Sequence, residues 1–199
     1  MASTSNRRDI RLATPQDAPG ILAVYAPIVA TTAISFELEV PTVAEMVSRI
    51  QRVLRAHPWI VLTEGSEFLG YAYAQPWQSR AAYRWVAETS VYVDAGARRR
   101  GVGRSLYAGL LSLLELQGYR QAVAGIALPN PASEALHRAA GFALAGTTIN
   151  VGWKLERWHD VAWYQRPLNV GAEPPAEPRA LDQLLEGEIS AALEEGGAG

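Results

Sequence analysis

Between residues 91 and 106 the chain reads "VYVDAGARRRGVGRSL": three consecutive arginines, followed by Gly101 and Gly103, mark the passage from a β-branched run to a helical one. Glycine suits a loop whose backbone must take positive φ or approach a ligand closely. The loop runs into a helix, whose first N–H groups have no partner inside the helix. Those N–H groups, the helix dipole and nearby arginines together make an anion site, and a phosphate or pyrophosphate suits it. Two turn glycines beside solvated arginines would spell the same letters, so the motif alone is a weak signal. Two familiar phosphate loops fail. The dinucleotide fingerprint needs a third glycine at 106, where Leu106 stands, and the Walker loop needs Gly-Lys-Ser/Thr, whereas the chain's one lysine is Lys154. What remains is Arg98-x-x-Gly101-x-Gly103, after a mid-chain strand and before an amphipathic helix.

The elements that must position this loop follow from periodicity. "RDIRLAT" alternates as a half-buried strand does, and "TPQDAPGILAVYAPIVATT" follows as a helix with Thr14 as cap and Pro15 at its first position. In "PTVAEMVSRIQRVLRAH" apolar residues recur at helical spacing behind a Thr42–Glu45 capping box. "WIVLTE" and "FLGYAYAQPW", joined by "GSE", read as a hairpin, and "YRWVAETSVYVD" is the strand that feeds the loop. The helix after the loop buries Leu106, Tyr107, Leu110, Leu113 and Leu114 and ends near Gly118. "QAVAGIAL" is apolar throughout, as a central strand is. A short helix, "NPASEALHRAAG", and a last pair of strands, "FALAGTTINVGWKL" and "VAWYQRPL", complete a β-α-α-β-β-β-α-β-α-β-β order, a mixed α/β (α+β) domain over residues 1–168. Residues 169–199 read as a Pro-rich linker and an acidic tail with one helical stretch, either docked or frayed.

Bulk composition narrows the chemistry. Of 199 residues 49% are apolar, enough for one domain with a core. With no cysteine there is neither a disulfide nor a thiolate metal site, and the three histidines share no metal-ligand spacing, so no metal is expected. No apolar run approaches the roughly 20 residues of a membrane helix, and "MASTSNRRDI" lacks a signal peptide's apolar stretch. The reading is cytoplasmic, with no membrane partner. Residues 171–199 carry a net charge of −6 against −2 for the whole chain, which leaves +4 for the body. That balance suits an anionic small ligand and gives little for nucleic acid to bind, so no nucleic-acid partner is expected.

The Arg98-x-x-Gly101-x-Gly103 loop resembles the coenzyme A pyrophosphate loop of the GCN5-related N-acetyltransferases, and the element order is similar to theirs. Three longer stretches, "GYAYAQPWQSRAAYRWVAETSVYVD", "ALPNPASEALHRAAGF" and "VGWKLERWHDVAWYQRPL", resemble the phosphinothricin and methionine-sulfoximine acetyltransferase group more specifically. The resemblance covers roughly residues 8–168 and implies the GNAT fold: a mixed sheet of about six to seven strands, splayed at the cofactor site, with about four helices. It implies acetyl-CoA as co-substrate, direct N-acetylation of a small amino-acid-like amine in a ternary complex, and a homodimer. Transfer to another amine (antibiotic, polyamine or protein N-terminus) and a non-catalytic coenzyme A sensor are the alternatives.

Residue by residue, the resemblance implies that Val91, Tyr92 and Val93 pair with the pantetheine arm. Arg98, Arg99, Arg100, Gly101, Val102, Gly103 and Arg104 would take the pyrophosphate, and Asn130 and Ser133 the arm. Which of the three arginines touches phosphate is open, and Asn130 also reads as an N-cap. Glu88, in "ETSVYV", takes the family's general-base role, flanked by residues that suggest burial, which would raise its pKa. His137 is a second catalytic candidate: a substrate contact, a proton relay, a donor to the leaving thiolate or a structural histidine. His57 and His159 read as structural. Arg80 is the natural carboxylate clamp. Phe36, Ser79, Tyr83, Thr89 and Ser90, with Glu88, complete the substrate set. Three departures stand out: Ala127 where relatives have glycine, Leu155-Glu156 in a turn that is richer in glycine elsewhere, and the acidic tail.

Overall fold

The computed structural model describes residues 8–169, 171 and 173–197, so the expected domain start at residue 1 and the stretch "MASTSNR" lie outside the described residues. Seven strands form one sheet: β1 (Arg8–Leu12), β2 (Trp59–Glu64), β3 (Glu67–Pro76), β4 (Val86–Val93), β5 (Gln121–Ala127), β6 (Ala143–Lys154) and β7 (Arg157–Pro167). Their order is β1-β2-β3-β4-β5-β7-β6. All neighbours are antiparallel except β4 and β5, which are parallel and in register only over Val86–Glu88 and Gln121–Val123. The apolar run of β5 is thus central, between β4 and β7, as its composition requires.

Five helices cover the sheet: α1 (Ala18–Thr31), α2 (Val43–Val53), α3 (Val102–Gln117), α4 (Pro131–Ala139) and α5 (Glu186–Gly197). Strand alternation sorts the two faces. Ala72 and Ala74 of β3 join Leu106, Tyr107, Leu110 and Leu113 of α3 in one core. Tyr71 of β3 turns the other way, into a second core with Ile21, Tyr25, Met46 and Ile50 of α1 and α2. The capping box at the start of α2 forms: Thr42 Oγ1 accepts from the Glu45 N–H at 3.2 Å, and Glu45 Oε2 accepts from the Thr42 N–H at 2.7 Å.

Two local readings change, and one left open is decided. Residues 15–17 make a 3-10 turn ahead of α1, because the Asp17 carboxylate takes both the Thr14 N–H and the Arg11 guanidinium. Residues 81–83 are also a 3-10 turn, so β4 begins at Val86 and not at Tyr83. The tail is docked: α5 packs on α3, and Ala192 and Leu193 enter the first core. Ahead of it Trp85 donates to the Ala176 carbonyl at 2.8 Å, and Leu181 and Leu184 are buried. The β6–β7 turn needs no glycine, because Leu155 and Glu156 themselves adopt φ of 51° and 59°.

Candidate active site

Beyond Glu88 and Val123 the β4–β5 ladder stops. Thr89 spans the divergence, donating to the Val123 carbonyl at 3.1 Å. The gap opens into an inner cavity of about 50 Å³ reached by Ser90, Ala127, Asn130, Ser133 and His137, and an outer groove of about 540 Å³. Along the groove the β5-facing edge of β4 from Ser90 to Val93 has no strand partner among the described residues, a template for strand addition.

The loop at the groove's far end is built locally. Asp94 accepts from the Gly96 N–H at 2.8 Å and fixes a 3-10 turn at Ala95–Ala97. Arg99 and Gly101 then take φ of 62° and 83°, which turns the chain into α3. Nothing but an Arg8 guanidinium nitrogen at 3.9 Å would meet a Cβ on Gly101, so glycine there answers the backbone conformation. Gly103 has a different reason: a Cβ would stand 2.9 Å from Leu136 Cδ2, where α4 crosses the start of α3. Arg98, Arg99 and Arg104 line the groove and make no ion pair among the described residues. Arg100 departs from the expected set: it does not line the groove, because Glu64 and Glu67 on the β2–β3 hairpin hold its guanidinium. Asn130 caps α4, its Oδ1 accepting from Ser133 N–H at 3.2 Å, and lines both cavities.

Glu88 projects from the face of β4 opposite Thr89 and pairs in register with Gln75. The Gln75 carboxamide donates to its Oε2 at 3.3 Å. Burial raises the Glu88 pKa and the Gln75 bond partly offsets it; among the described residues no cation pairs with it. His137 is 3% exposed and fully bonded. Its Nδ1–H donates to the Ser133 carbonyl at 2.7 Å, which leaves Nε2 to accept from Tyr107 O–H at 2.6 Å. The Tyr107 oxygen also lies 3.3 Å from Thr89 Oγ1. Burial lowers the His137 pKa, so it is a neutral group with both nitrogens committed. His57 and His159 are bonded to Tyr119 and to the Lys154 carbonyl.

The expected substrate residues do not all converge. Ser90 and Thr89 line the inner cavity. Phe36 packs instead on Gly152 of β6, beside His159, and walls none of the cavities described. Ser79, Arg80 and Tyr83 lie in the exposed segment before β4, where Tyr83 meets Trp77 edge-on at 5.1 Å. Sequence reasoning missed Tyr107, read as core, and Gln75, because the bonds of both depend on pairings between distant segments.

A sheet opened between its one parallel pair, a positively charged loop at a helix N-terminus and a half-buried carboxylate beside the opening form a groove suited to an elongated, phosphate-bearing ligand. Residues 10–163 match the acetyltransferase (GNAT) domain, and the chain belongs to that family. It is 36% identical over 176 residues to a phosphinothricin N-acetyltransferase of Streptomyces viridochromogenes, covering 88% of this chain and 96% of that one. It is 36% identical to an L-methionine sulfoximine/L-methionine sulfone acetyltransferase of Pseudomonas aeruginosa, covering 83% and 98%. The structure of a phosphinothricin acetyltransferase from Sinorhizobium meliloti in complex with AcCoA superposes with a TM-score of 0.82 at 35% identity, over 89% of this chain and 97% of that one. The protein is an N-acetyltransferase that uses acetyl-CoA. Its own geometry fits that co-substrate: among the described residues, a strand edge without a partner for the amide-bearing arm, and arginines without an ion pair, with helix N–H groups, for the pyrophosphate. Among the described residues no group of histidines and acids is placed to hold a metal, and no helix is long and apolar enough to cross a membrane.

Proposed function

We propose that the acceptor is the amino group of a small amino-acid-like substrate of the phosphinothricin, methionine sulfoximine or methionine sulfone type, acetylated directly in a ternary complex. The observation that carries this reading is Glu88: a half-buried carboxylate with a raised pKa and no countercharge among the described residues, at the point where β4 and β5 part. An α-ammonium with a pKa of about 8 is mostly protonated at neutral pH and must lose a proton before it can attack. Glu88 accepts that proton, directly or through a water. The nitrogen then attacks the thioester carbonyl and the thiolate leaves. No acyl-enzyme is expected: there is no cysteine, and Ser133 Oγ, 3.3 Å from His137 Nδ1, faces a nitrogen whose proton goes to the Ser133 carbonyl and which is therefore not a base for it. His137 acts at one remove: it orients Tyr107, which meets Thr89 at the divergence, so it is a positioning residue. Val91 and Val93 backbone, Arg98, Arg99, Arg104 and the N–H groups at the start of α3 hold the co-substrate. Arg80, exposed and without an ion pair among the described residues, clamps the acceptor carboxylate.

The reading includes a homodimer. β6 is an edge strand, and Leu144, Ile149, Val151 and Trp153 on it, with Leu155 and Trp158 at its turn, are 50% to 65% exposed. An apolar edge of that kind is a site for a second copy. The cytoplasm is the proposed compartment. A thiol-release assay with acetyl-CoA against a panel of amines tests the function. Phosphinothricin, methionine sulfoximine and methionine sulfone should release thiol fastest. Faster turnover of an aminoglycoside or polyamine would overturn the substrate class, and no turnover with binding intact would favour a sensor.

A further inference from the structure

The C-terminal tail touches the domain twice, and the docking of α5 accounts for only one of the two places. Before α5, residues 173–179 run as a strap past Trp85, at the closed end of the β4–β5 pair. Trp85 Nε1–H donates to the Ala176 carbonyl at 2.8 Å, and the Trp85 carbonyl takes the Arg120 and Gln121 N–H groups at 2.9 and 3.3 Å. Next to it the Glu177 carboxylate meets Arg84 Nε at 2.7 Å. The strap is tied to the end of α3 from both sides. Asn169 donates to the Glu115 and Tyr119 carbonyls at 2.9 and 3.0 Å. The Arg179 N–H donates to the Gln117 carbonyl at 2.8 Å, and Gln117 Nε2 donates back to the Arg179 carbonyl at 2.7 Å. Pro174, Pro175 and Pro178 fix φ at three of the five positions from 174 to 178, so this stretch has little freedom to lose.

Arg84 carries that attachment toward the acceptor. Its guanidinium makes three contacts: Nε to Glu177, Nη1 to the Ala81 carbonyl at 3.2 Å, and its flat face to the Trp85 ring, with Cζ 4.2 Å from the centroid. Ala81 opens the 3-10 turn at Ala81–Tyr83, and Arg80 is its cap, its carbonyl accepting from the Tyr83 N–H at 3.0 Å. The Arg84 N–H closes the turn on the Ala81 carbonyl at 3.2 Å. Residues 78–84 are all exposed, and a short exposed turn has few core contacts to hold it. Tyr83 rests edge-on against Trp77, and the remaining support comes from Arg84 and Trp85, which the strap holds.

We infer that the strap takes part in acceptor recognition: Glu177 and Trp85 are positioning residues that, through Arg84, hold the turn from which Arg80 reaches the acceptor carboxylate. The inference rests on the proposed role of Arg80. With the strap in place the turn is ordered before the acceptor arrives. Without it, ordering the turn falls to the binding step and weakens acceptor affinity. Acetyl-CoA, proposed to lie along Val91–Val93 and the start of α3, is held by other residues and does not feel the change.

The test measures thiol release with methionine sulfone and with phosphinothricin, and melting temperatures, for Glu177→Ala and Glu177→Arg in the wild-type and Arg80→Ala backgrounds. The Arg84–Glu177 pair is exposed, and such a pair is worth about fivefold at most, so Glu177→Ala should raise the acceptor KM about twofold to fivefold. Glu177→Arg, which sets like charges together, should raise it at least fivefold. Trp85→Phe, which loses the bond to Ala176 and keeps a ring beside Arg84, should raise the same KM and leave that for acetyl-CoA unchanged. In the Arg80→Ala background both Glu177 effects should vanish, since no clamp remains to be positioned. An Arg80→Ala variant with no loss toward either acceptor overturns the clamp and this inference with it, as does a wild-type enzyme that turns over neither. A loss in Arg80→Ala with an unchanged acceptor KM in Glu177→Arg overturns the inference alone. So does an equal rise in both backgrounds, a parallel rise in the acetyl-CoA KM, or a fall in the acceptor KM as a freed Arg84 takes the carboxylate itself.

Discussion

Replacing Glu88 with glutamine keeps the shape of the side chain and its bond to Gln75 while removing the one site that takes a proton. A positioned base is worth about 10² to 10⁴ in rate, or roughly 3 to 5 kcal/mol at 1.36 kcal/mol per decade. The deficit should depend on pH in a calculable way. With an amine pKa of about 8, about one tenth of the acceptor is neutral at pH 7 and about nine tenths at pH 9. The variant, which must wait for neutral amine, should therefore recover about tenfold relative to wild type across that interval. In wild type, burial raises the Glu88 pKa, so kcat/KM should fall on the acid side as the carboxylate gains its proton, at a higher pH than an exposed glutamate would give. That limb should vanish in the variant. The same burial works against stability: a raised carboxylate pKa means that the charged form costs the folded state, and the cost grows as pH rises through that pKa. Glu88→Gln should therefore melt no lower than wild type at pH 7. Steady-state rates from pH 6 to 9.5 with calorimetry on the same samples measure all of this. A loss below threefold with parallel pH profiles would refute the assignment, as would a variant whose deficit widens with pH.

Gly101→Val should raise the KM for acetyl-CoA at least tenfold in a folded protein, because a β-branched residue resists the φ of 83° that starts α3. Gly101→Asn, which tolerates that conformation, should stay closer to wild type, and equal KM values in all three would remove the loop from the co-substrate site. Leu193→Asp puts a carboxylate into a site 5% exposed, beside Ile10 and Gly109 of the first core. The cost should be about 3 kcal/mol, capped by the free energy of docking the tail helix, which in a chain of this size lowers Tm by about 6 to 12 °C. An unchanged Tm would mean that α5 contributes nothing to the fold.

What the sequence determined is what nearest neighbours along the chain can encode. The capping box of α2, the apolar run of β5, the glycine that turns into α3 and the Asn130 cap each depend on a few adjacent residues, and each is where the letters put it. The family's longer stretches were legible for the same reason. Tertiary structure decided what needs two distant segments to meet. "ARRRG" gives three equal arginines; only the β2–β3 hairpin, bringing Glu64 and Glu67 alongside, takes Arg100 away from the groove. Gly103 reads like Gly101 until α4 lays Leu136 against it. His137 is one of three histidines in the sequence, and the fold, by burying it between Ser133 and Tyr107, commits both of its nitrogens. The carboxamide on Glu88 comes from Gln75, thirteen residues away across a connection whose length does not set the register. The tail's few leucines cannot hold a helix alone, because burial on α3 supplies most of what a short helix lacks, and that burial exists only once the sheet has formed.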